Sequence, residues 1–228
     1  MKTLKLTALF LTAAFIFSSC NTQLNNTAKG GIIGGTGGAG LGALIGGLIG
    51  DGKGAAIGAG VGAVVGTGAG VLIGNKMDKA AKQAEEIEGA KVEQGDQNGV
   101  QYVKVTLDSG ITFPTNGTTL SENAKISLSR FINQLDPQFD LAICGHTDNT
   151  GSLEVNQRVS LQRAQSVANY LTAVGLAYSR LRSVKGYDYQ YPVADNNTAA
   201  GRAKNRRVEL YLLPSQAMIN DAQKQADN

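Results

Sequence analysis

Two long runs of glycine and apolar residues restrict what the N-terminal part of this chain can form. They cover residues 30–50 and 54–74, about 21 residues each, and a polar Asp-Gly-Lys turn at 51–53 separates them. As a helix, each run would be roughly 32 Å long, close to the hydrocarbon thickness of a bilayer. Glycine recurs at every fourth position, which lets helices associate closely in lipid but weakens a helix in water. The pattern predicts a glycine-zipper membrane hairpin over 30–74 that can also join copies of the chain, with a flexible linker as the alternative.

A basic start, an apolar run and a cysteine precede these glycine-rich residues. Two lysines lie within the first five residues, and Ser18 and Ser19 stand directly before Cys20. This order is typical of a secretion signal of the lipoprotein type. We therefore expect residues 1–19 to be a signal peptide and Cys20 to carry lipid, palmitate included, with 20–29 as anchor and short linker. An ordinary signal peptide with a spare thiol at Cys20 is the alternative.

The remaining residues alternate strand-like and helix-like patterns after a charged connector at 75–99. Period-2 and apolar runs favour strands, and apolar residues spaced by 3.6 favour helices. The predicted strands are Tyr102–Leu107, Phe139–Cys144, Leu181–Tyr187 and Arg207–Leu213, and the predicted helices are Ser121–Leu135 and Leu153–Ala173. Gly175 is expected to end the second helix. Cys144 lies in an apolar strand and is expected to be a buried free thiol, and 214–228 is expected to be a loose polar tail.

Charged side chains of opposite sign are expected at the end of one predicted strand. The apolar run 141–144 leads into His146, Thr147 and Asp148, and a turn follows. Arg163 lies fifteen residues after Asp148 inside the next helix, so its guanidinium can reach the same rim. One carboxylate and one cation suit a zwitterionic ligand. Asp148 as a simple turn residue and Arg163 on a solvated helix face remain the alternatives.

Motifs in this region resemble the OmpA-like peptidoglycan-binding domain, a periplasmic module of outer-membrane porins, peptidoglycan-associated lipoproteins and flagellar stator proteins. The segments that carry the resemblance, in chain order, are GHTDNTG, LSLQRAQSV, KGYD, PVADN and GRAKNRRVEL. The resemblance covers residues 100–213 and implies an α+β fold of βαβαβ order with a mixed sheet.

The resemblance also implies a ligand, the meso-diaminopimelate side chain of peptidoglycan stem peptides. By motif position, Asp148 would pair with its ammonium and Arg163 with its carboxylate. Further contacts would come from Asn116, Thr147, Asn156 and Arg206, and of the two adjacent arginines Arg207 would face solvent.

Several function classes find no support in the residues. His146 is the single histidine and no cysteine or carboxylate cluster accompanies it, so we expect no metal or cofactor. No nucleophile stands in a catalytic setting, since Ser152 lacks a GxSxG elbow, so we expect no enzyme. The net charge of +3 forms no basic stripe, so nucleic acid is not an expected partner.

The combined expectation is a lipoprotein of the outer membrane whose periplasmic domain binds peptidoglycan without covalent chemistry and tethers the membrane to the wall. An oligomeric glycine-zipper pore or assembly scaffold, held in place by a wall-binding domain, is the alternative. A flagellar stator is disfavoured, because neither glycine-rich run contains an acidic residue to carry ions.

Overall fold

The computed structural model describes residues 68–97, 100–114 and 117–227, which form an α+β domain around a five-stranded mixed sheet. The strands are β1 (Ala90–Gln97), β2 (Val100–Asp108), β3 (Phe139–His146), β4 (Leu181–Gly186) and β5 (Arg207–Pro214). The helices are α1 (Gly68–Glu85), α2 (Ser109–Thr112), α3 (Glu122–Gln134), α4 (Leu153–Ala173), α5 (Ala199–Asn205) and α6 (Gln216–Ala226). The predicted α+β class and mixed sheet are confirmed.

The order of the sheet is β1-β2-β5-β3-β4. Strands β3 and β4 run parallel, and the other neighbours are antiparallel. In the β3–β5 pair, Phe139 lies opposite Pro214 at one end of the sheet and His146 lies opposite Arg207 at the other. We call these the Phe139 end and the His146 end.

The two faces of the sheet differ in what packs on them. Leu141 and Ile143 of β3 belong to the main core, which also contains buried side chains of α1, α3, α4 and α6. Because side chains alternate along a strand, Ala142 and Cys144 point to the opposite face. There they form a small cluster with Tyr211, flanked by Tyr102, Tyr187 and Tyr191. We call this side the tyrosine face. Cys144 is buried and free, as predicted.

Helices α3 and α4 of the core begin at serine caps. Ser121 Oγ accepts a hydrogen bond from Ala124 N at 3.2 Å, and Ser152 Oγ accepts one from Val155 N at 3.3 Å, which satisfies amide groups that a helix start leaves unpaired. Helix α4 ends before Gly175, whose φ of 120° suits glycine. The predicted position of this helix end is confirmed.

The structure differs from the sequence-based prediction at both ends of the domain. The expected connector at 75–99 is instead most of α1 and all of β1, which pairs along its whole length with β2. Residues 68–74, the end of the second glycine-rich run, lie in α1, where Ala69 and Ile73 are buried. The rest of the predicted hairpin lies outside the described residues. The expected loose tail is largely α6, because Met218, Ile219 and Ala222 give it an apolar face that packs into the core.

Helix α1 is attached at the Phe139 end of the sheet. Lys76 Nζ donates to Asp136 Oδ2 at 2.9 Å and to Gln138 Oε1 at 2.6 Å, and both acceptors directly precede β3. Gln138 Nε2 in turn donates to Asp221 Oδ2 of α6 at 2.6 Å. A side chain at Gly68 would touch Ala226, so the start of α1 lies beside the end of α6. Among the helices that the structure describes, none combines the length and apolarity needed to cross a membrane.

Candidate binding site at the His146 end of the sheet

Helix α4 approaches the ends of β3 and β4 closely because glycine stands at both contacts. A Cβ atom at Gly145 would lie 1.9 Å from the Ser160 carbonyl oxygen, and one at Gly186 would lie 2.4 Å from the Leu161 amide nitrogen. Neither position has room for a side chain. The close approach brings the buried face of α4, which includes Arg163, next to the loop that follows β3.

Asp148 lies in that loop and is only 4% exposed. Its Oδ1 accepts hydrogen bonds from the amide of Thr150, at 2.9 Å, and from the Thr150 hydroxyl. One carboxylate oxygen therefore closes the turn, as the simpler alternative for this residue predicted. The other oxygen remains for a charged partner.

Arg206 provides that partner within the protein. Its Nη1 donates to Asp148 Oδ2 at 2.6 Å, while its own side chain is 43% exposed. Burial acts to raise the pKa of Asp148, but the hydrogen bonds from Thr150 and Arg206 and the charge of Arg206 outweigh it, so the pKa lies below its ordinary value. Asp148 is accordingly a carboxylate at neutral pH.

Arg163 is the second cation of the site and is buried to 6% exposure. Its Nε donates to the Gly117 carbonyl oxygen at 3.1 Å, and its Cζ lies 5.3 Å from the centre of the Phe113 ring. Burial and the charge of Arg206 lower its pKa, opposed by the charge of Asp148. Within the described parts of the chain, no carboxylate forms an ion pair with Arg163 and no group accepts a hydrogen bond from its two Nη nitrogens.

The other predicted site residues occupy different positions around the loop. Thr147 is buried, its amide donates to the Asp188 carbonyl at 2.8 Å, and its hydroxyl has no hydrogen-bond partner among the residues described. Asn156 Nδ2 donates to the Thr150 carbonyl at 2.9 Å and so supports the loop from α4. Asn116 lies outside the described residues. The structure thus brings Asp148, Arg163 and Arg206 together, with Thr147 and Asn156 beside them.

Asn205 supports the site and was not predicted from the sequence. It is fully buried, and its Oδ1 accepts from the amides of Val193 and Ala194 at 2.8 and 2.9 Å. Its Nδ2 donates to the Ala194 carbonyl and to Asn196 Oδ1. Asn196 Oδ1 also accepts from the amide of Asn149 in the loop after β3, at 3.4 Å. The sequence places Asn205 beside Arg206 but gives no sign that it organises this second loop.

The prediction that Arg207 faces solvent is wrong. Arg207 is 1% exposed rather than solvent-facing, and its Nε pairs with Glu209 Oε1 at 2.8 Å. Glu209 Oε2 also accepts a hydrogen bond from the Tyr211 hydroxyl at 2.7 Å, and His146 Nε2 lies 3.4 Å from the same oxygen. Burial acts to raise the pKa of Glu209, but its contacts with His146, Arg207 and Tyr211 lower it overall. Arg207 is buried because strand alternation turns it to the tyrosine face, where this carboxylate compensates its charge.

Comparison with known proteins identifies the part of the chain that carries the site. The sequence of residues 112–206 matches the OmpA family, and that of residues 1–78 matches the YMGG-like Gly-zipper family. We call residues 112–206, the part that matches the OmpA family, the OmpA domain. The OmpA domain contains every predicted residue of the binding site, from Asn116 to Arg206.

Relatives of the OmpA domain include proteins of different overall length. The probable lipoprotein YiaD of Escherichia coli (strain K12) is 37% identical over 112 residues, which cover 48% of this chain and 51% of YiaD. The peptidoglycan-binding protein ArfA of Mycobacterium tuberculosis (strain H37Rv) is 42% identical over 104 residues, 45% of this chain and 32% of ArfA. The chain therefore spans about half of YiaD and a third of ArfA.

The fold also has solved counterparts. The structure of the cell wall anchor of the T6SS from Pseudomonas aeruginosa is similar with a TM-score of 0.52 and 26% sequence identity, over 61% of this chain and 97% of that one. The periplasmic domain of MotB (residues 64–256) shares the fold with a TM-score of 0.50 at 22% identity. The OmpA domain therefore has the fold that its sequence motifs predicted.

Proposed function

We propose that the OmpA domain binds peptidoglycan through the diaminopimelate side chain of its stem peptides. The observation that carries the proposal is the state of Arg163, a buried guanidinium without a carboxylate partner in the described residues, next to the carboxylate of Asp148. Leaving such a charge uncompensated is costly. A ligand carboxylate that reaches its Nη nitrogens would compensate it.

Because the site offers the Asp148 carboxylate and the Arg163 guanidinium side by side, it favours a ligand with a positive and a negative charge on one short group. Diaminopimelate ends in an ammonium and a carboxylate on the same carbon. We assign the carboxylate to Arg163, whose planar fork suits two parallel hydrogen bonds, and the ammonium to Asp148. Arg206 would continue to hold Asp148 in place, and the unpaired hydroxyl of Thr147 would supply a further polar contact.

Names of relatives support peptidoglycan as the binding partner. ArfA is called a peptidoglycan-binding protein and a solved counterpart is called a cell wall anchor. We extend that role to this chain as a binding function in which no covalent bond is made or broken.

The lipoprotein-type signal in the sequence supports a location of the domain in the envelope. We propose that Cys20 is acylated, that the protein is anchored in the outer membrane, and that the OmpA domain extends into the periplasm to tether that membrane to the wall. YiaD, the relative called a probable lipoprotein, supports this proposal.

Two kinds of purified wall test the ligand assignment. The full chain should sediment with sacculi that contain diaminopimelate and bind markedly less to walls with lysine at the same position. Lysine offers the ammonium but leaves Arg163 without a carboxylate. The variant Asp148→Ala should lose binding to both walls while the domain stays folded by circular dichroism. Equal binding of the native protein to the two walls would contradict the assignment of Arg163.

A further inference from the structure

A pair of tyrosine rings lies on the tyrosine face at its His146 end, beyond the residues of the proposed diaminopimelate site. The centres of the Tyr187 and Tyr191 rings are 5.3 Å apart and the rings are nearly perpendicular, at 85°. The Tyr187 ring stacks on His146 with 5.9 Å between centres and 18° between planes. Both tyrosines are partly exposed to solvent.

Main-chain hydrogen bonds fix the pair to the strand ends that carry the site. The Tyr187 amide donates to the Gly145 carbonyl at 2.9 Å, and Arg207 Nη2 donates to the Tyr191 carbonyl at 3.0 Å. His146, under the Tyr187 ring, is two residues from Asp148, so their Cα atoms are at most about 7.6 Å apart. A ligand that reaches Asp148 can therefore extend to the tyrosines.

We propose that Tyr187 and Tyr191 form a subsite for a sugar ring of the glycan strand that bears the bound stem peptide. This inference rests on the proposed function. A tyrosine ring can cover the C–H face of a pyranose while its hydroxyl exchanges hydrogen bonds with the sugar. Two rings at right angles offer one stacking surface and one edge, and a rigid ring loses little entropy on binding.

The length of the stem peptide agrees with this arrangement. Two amino acids and a lactyl group separate diaminopimelate from its sugar, and an extended chain covers about 3.3 Å per residue, hence roughly 10 Å in all. The Cα atoms of His146 and Asp148 are at most about 7.6 Å apart, so a chain of that reach can run from the Asp148 loop to the strand end where the Tyr187 ring stacks on His146. The peptide would cross the edge of the sheet at Thr147.

Two ligands separate this subsite from the diaminopimelate pocket. The full chain in detergent is titrated with the stem tripeptide that ends in diaminopimelate and with the same tripeptide attached to its disaccharide. The disaccharide form should bind about fivefold more tightly, the gain expected for one aromatic contact. Tyr191→Ala should remove that gain and leave the affinity for the bare tripeptide unchanged. Tyr191→Phe should keep most of it, because the ring remains.

Tyr178 provides the matched control, because it is 81% exposed and lies just before β4, at the other end of the sheet. Tyr178→Ala should leave both affinities unchanged. Saturation-transfer NMR of the native protein should also show sugar ring protons in contact with it. Equal affinity of the native protein for the two ligands, or a gain that survives Tyr191→Ala, would overturn the subsite alone. Failure of both ligands to bind would overturn the proposed function together with it.

Discussion

Arg163 shows how one side chain can be costly for folding and useful for binding. Its surroundings give it one carbonyl oxygen and one aromatic ring, and neither carries a compensating charge. Arg206, the nearest other cation, is neutralised by Asp148 instead. The described residues therefore hold two guanidiniums around one carboxylate. A carboxylate from a ligand would make the numbers of positive and negative charges equal.

We expect Arg163→Lys to weaken binding to diaminopimelate sacculi by about tenfold or more, equivalent to about 1.4 kcal/mol. A lysine keeps the charge but cannot make two parallel hydrogen bonds, nor can its ammonium replace the Nε contact with Gly117. Equilibrium sedimentation with sacculi measures the change. Arg158→Lys, an exposed arginine on the same helix, is the control and should bind as the native protein does. Native affinity in Arg163→Lys would mean that the guanidinium fork does not contact the ligand.

For single residues, the sequence predicts which side chains form the site better than it predicts the groups that those side chains contact. Asp148 and Arg163 follow from motif and helix spacing, and the structure brings them to one place. The carbonyl of Gly117 and the amide of Thr150 are backbone groups, which leave no signal in residue identity. The burial of Arg207 depends on the register of β5 against β3, which places it opposite His146, and a single sequence does not fix that register.

Helices and strands whose apolar residues recur with a clear period were predicted from the sequence. Those that depend on contacts with neighbouring elements were not. Helix α3 was expected at Ser121–Leu135 and spans Glu122–Gln134, with Ser121 as its cap. Strand β1 reads AKVEQGDQ, which has little apolar content, and its order comes from pairing with β2. Helix α6 has three buried side chains in an otherwise mostly polar sequence, so its composition did not indicate that one face is apolar.

We expect Met218→Ala in α6 to lower the free energy of unfolding by about 2 to 5 kcal/mol, the usual cost of removing a fully buried methionine side chain. Met218 is 1% exposed and belongs to the main core. Affinity for sacculi should not change under native conditions, because α6 follows β5 at the Phe139 end. Chemical denaturation measures the stability. Asn220→Ala, exposed on the same helix, should stay within about 0.5 kcal/mol of the native protein. Equal stability of the two variants would mean that α6 does not pack on the core.

For the whole molecule, the start of α1 limits how the glycine-rich region can meet a membrane. Seven residues of the second run, 68–74, belong to α1 and contribute buried side chains to the domain. The 14 residues that remain, 54–67, would make a helix about 21 Å long, shorter than a hydrocarbon core of about 30 Å. A hairpin with two full crossings therefore conflicts with the folded domain.

We accordingly expect Cys20→Ser to release the protein from membranes into the soluble fraction on carbonate extraction. The run at 30–50 is long enough to cross once, but a single crossing would put the OmpA domain on the opposite side of the membrane from residue 20, so the lipid at Cys20 would be the membrane attachment. The native protein, extracted in parallel, should remain with the membrane. Retention of Cys20→Ser in the carbonate pellet would show that the glycine-rich residues hold the chain in the bilayer by themselves.

The attachment of α1 at the Phe139 end has a mechanical consequence. If the membrane pulls on the chain ahead of Gly68 while the wall holds the loop after His146, tension enters the sheet at one end of β3 and leaves at the other. The load then runs along the strands. Because both points lie on β3, its covalent backbone carries the load within the sheet, and the hydrogen bonds to β5, which lie across that direction, bear little of it. The first contacts to yield would therefore be the noncovalent ones that hold α1 beside the start of β3, including the bonds from Lys76 to Asp136 and Gln138.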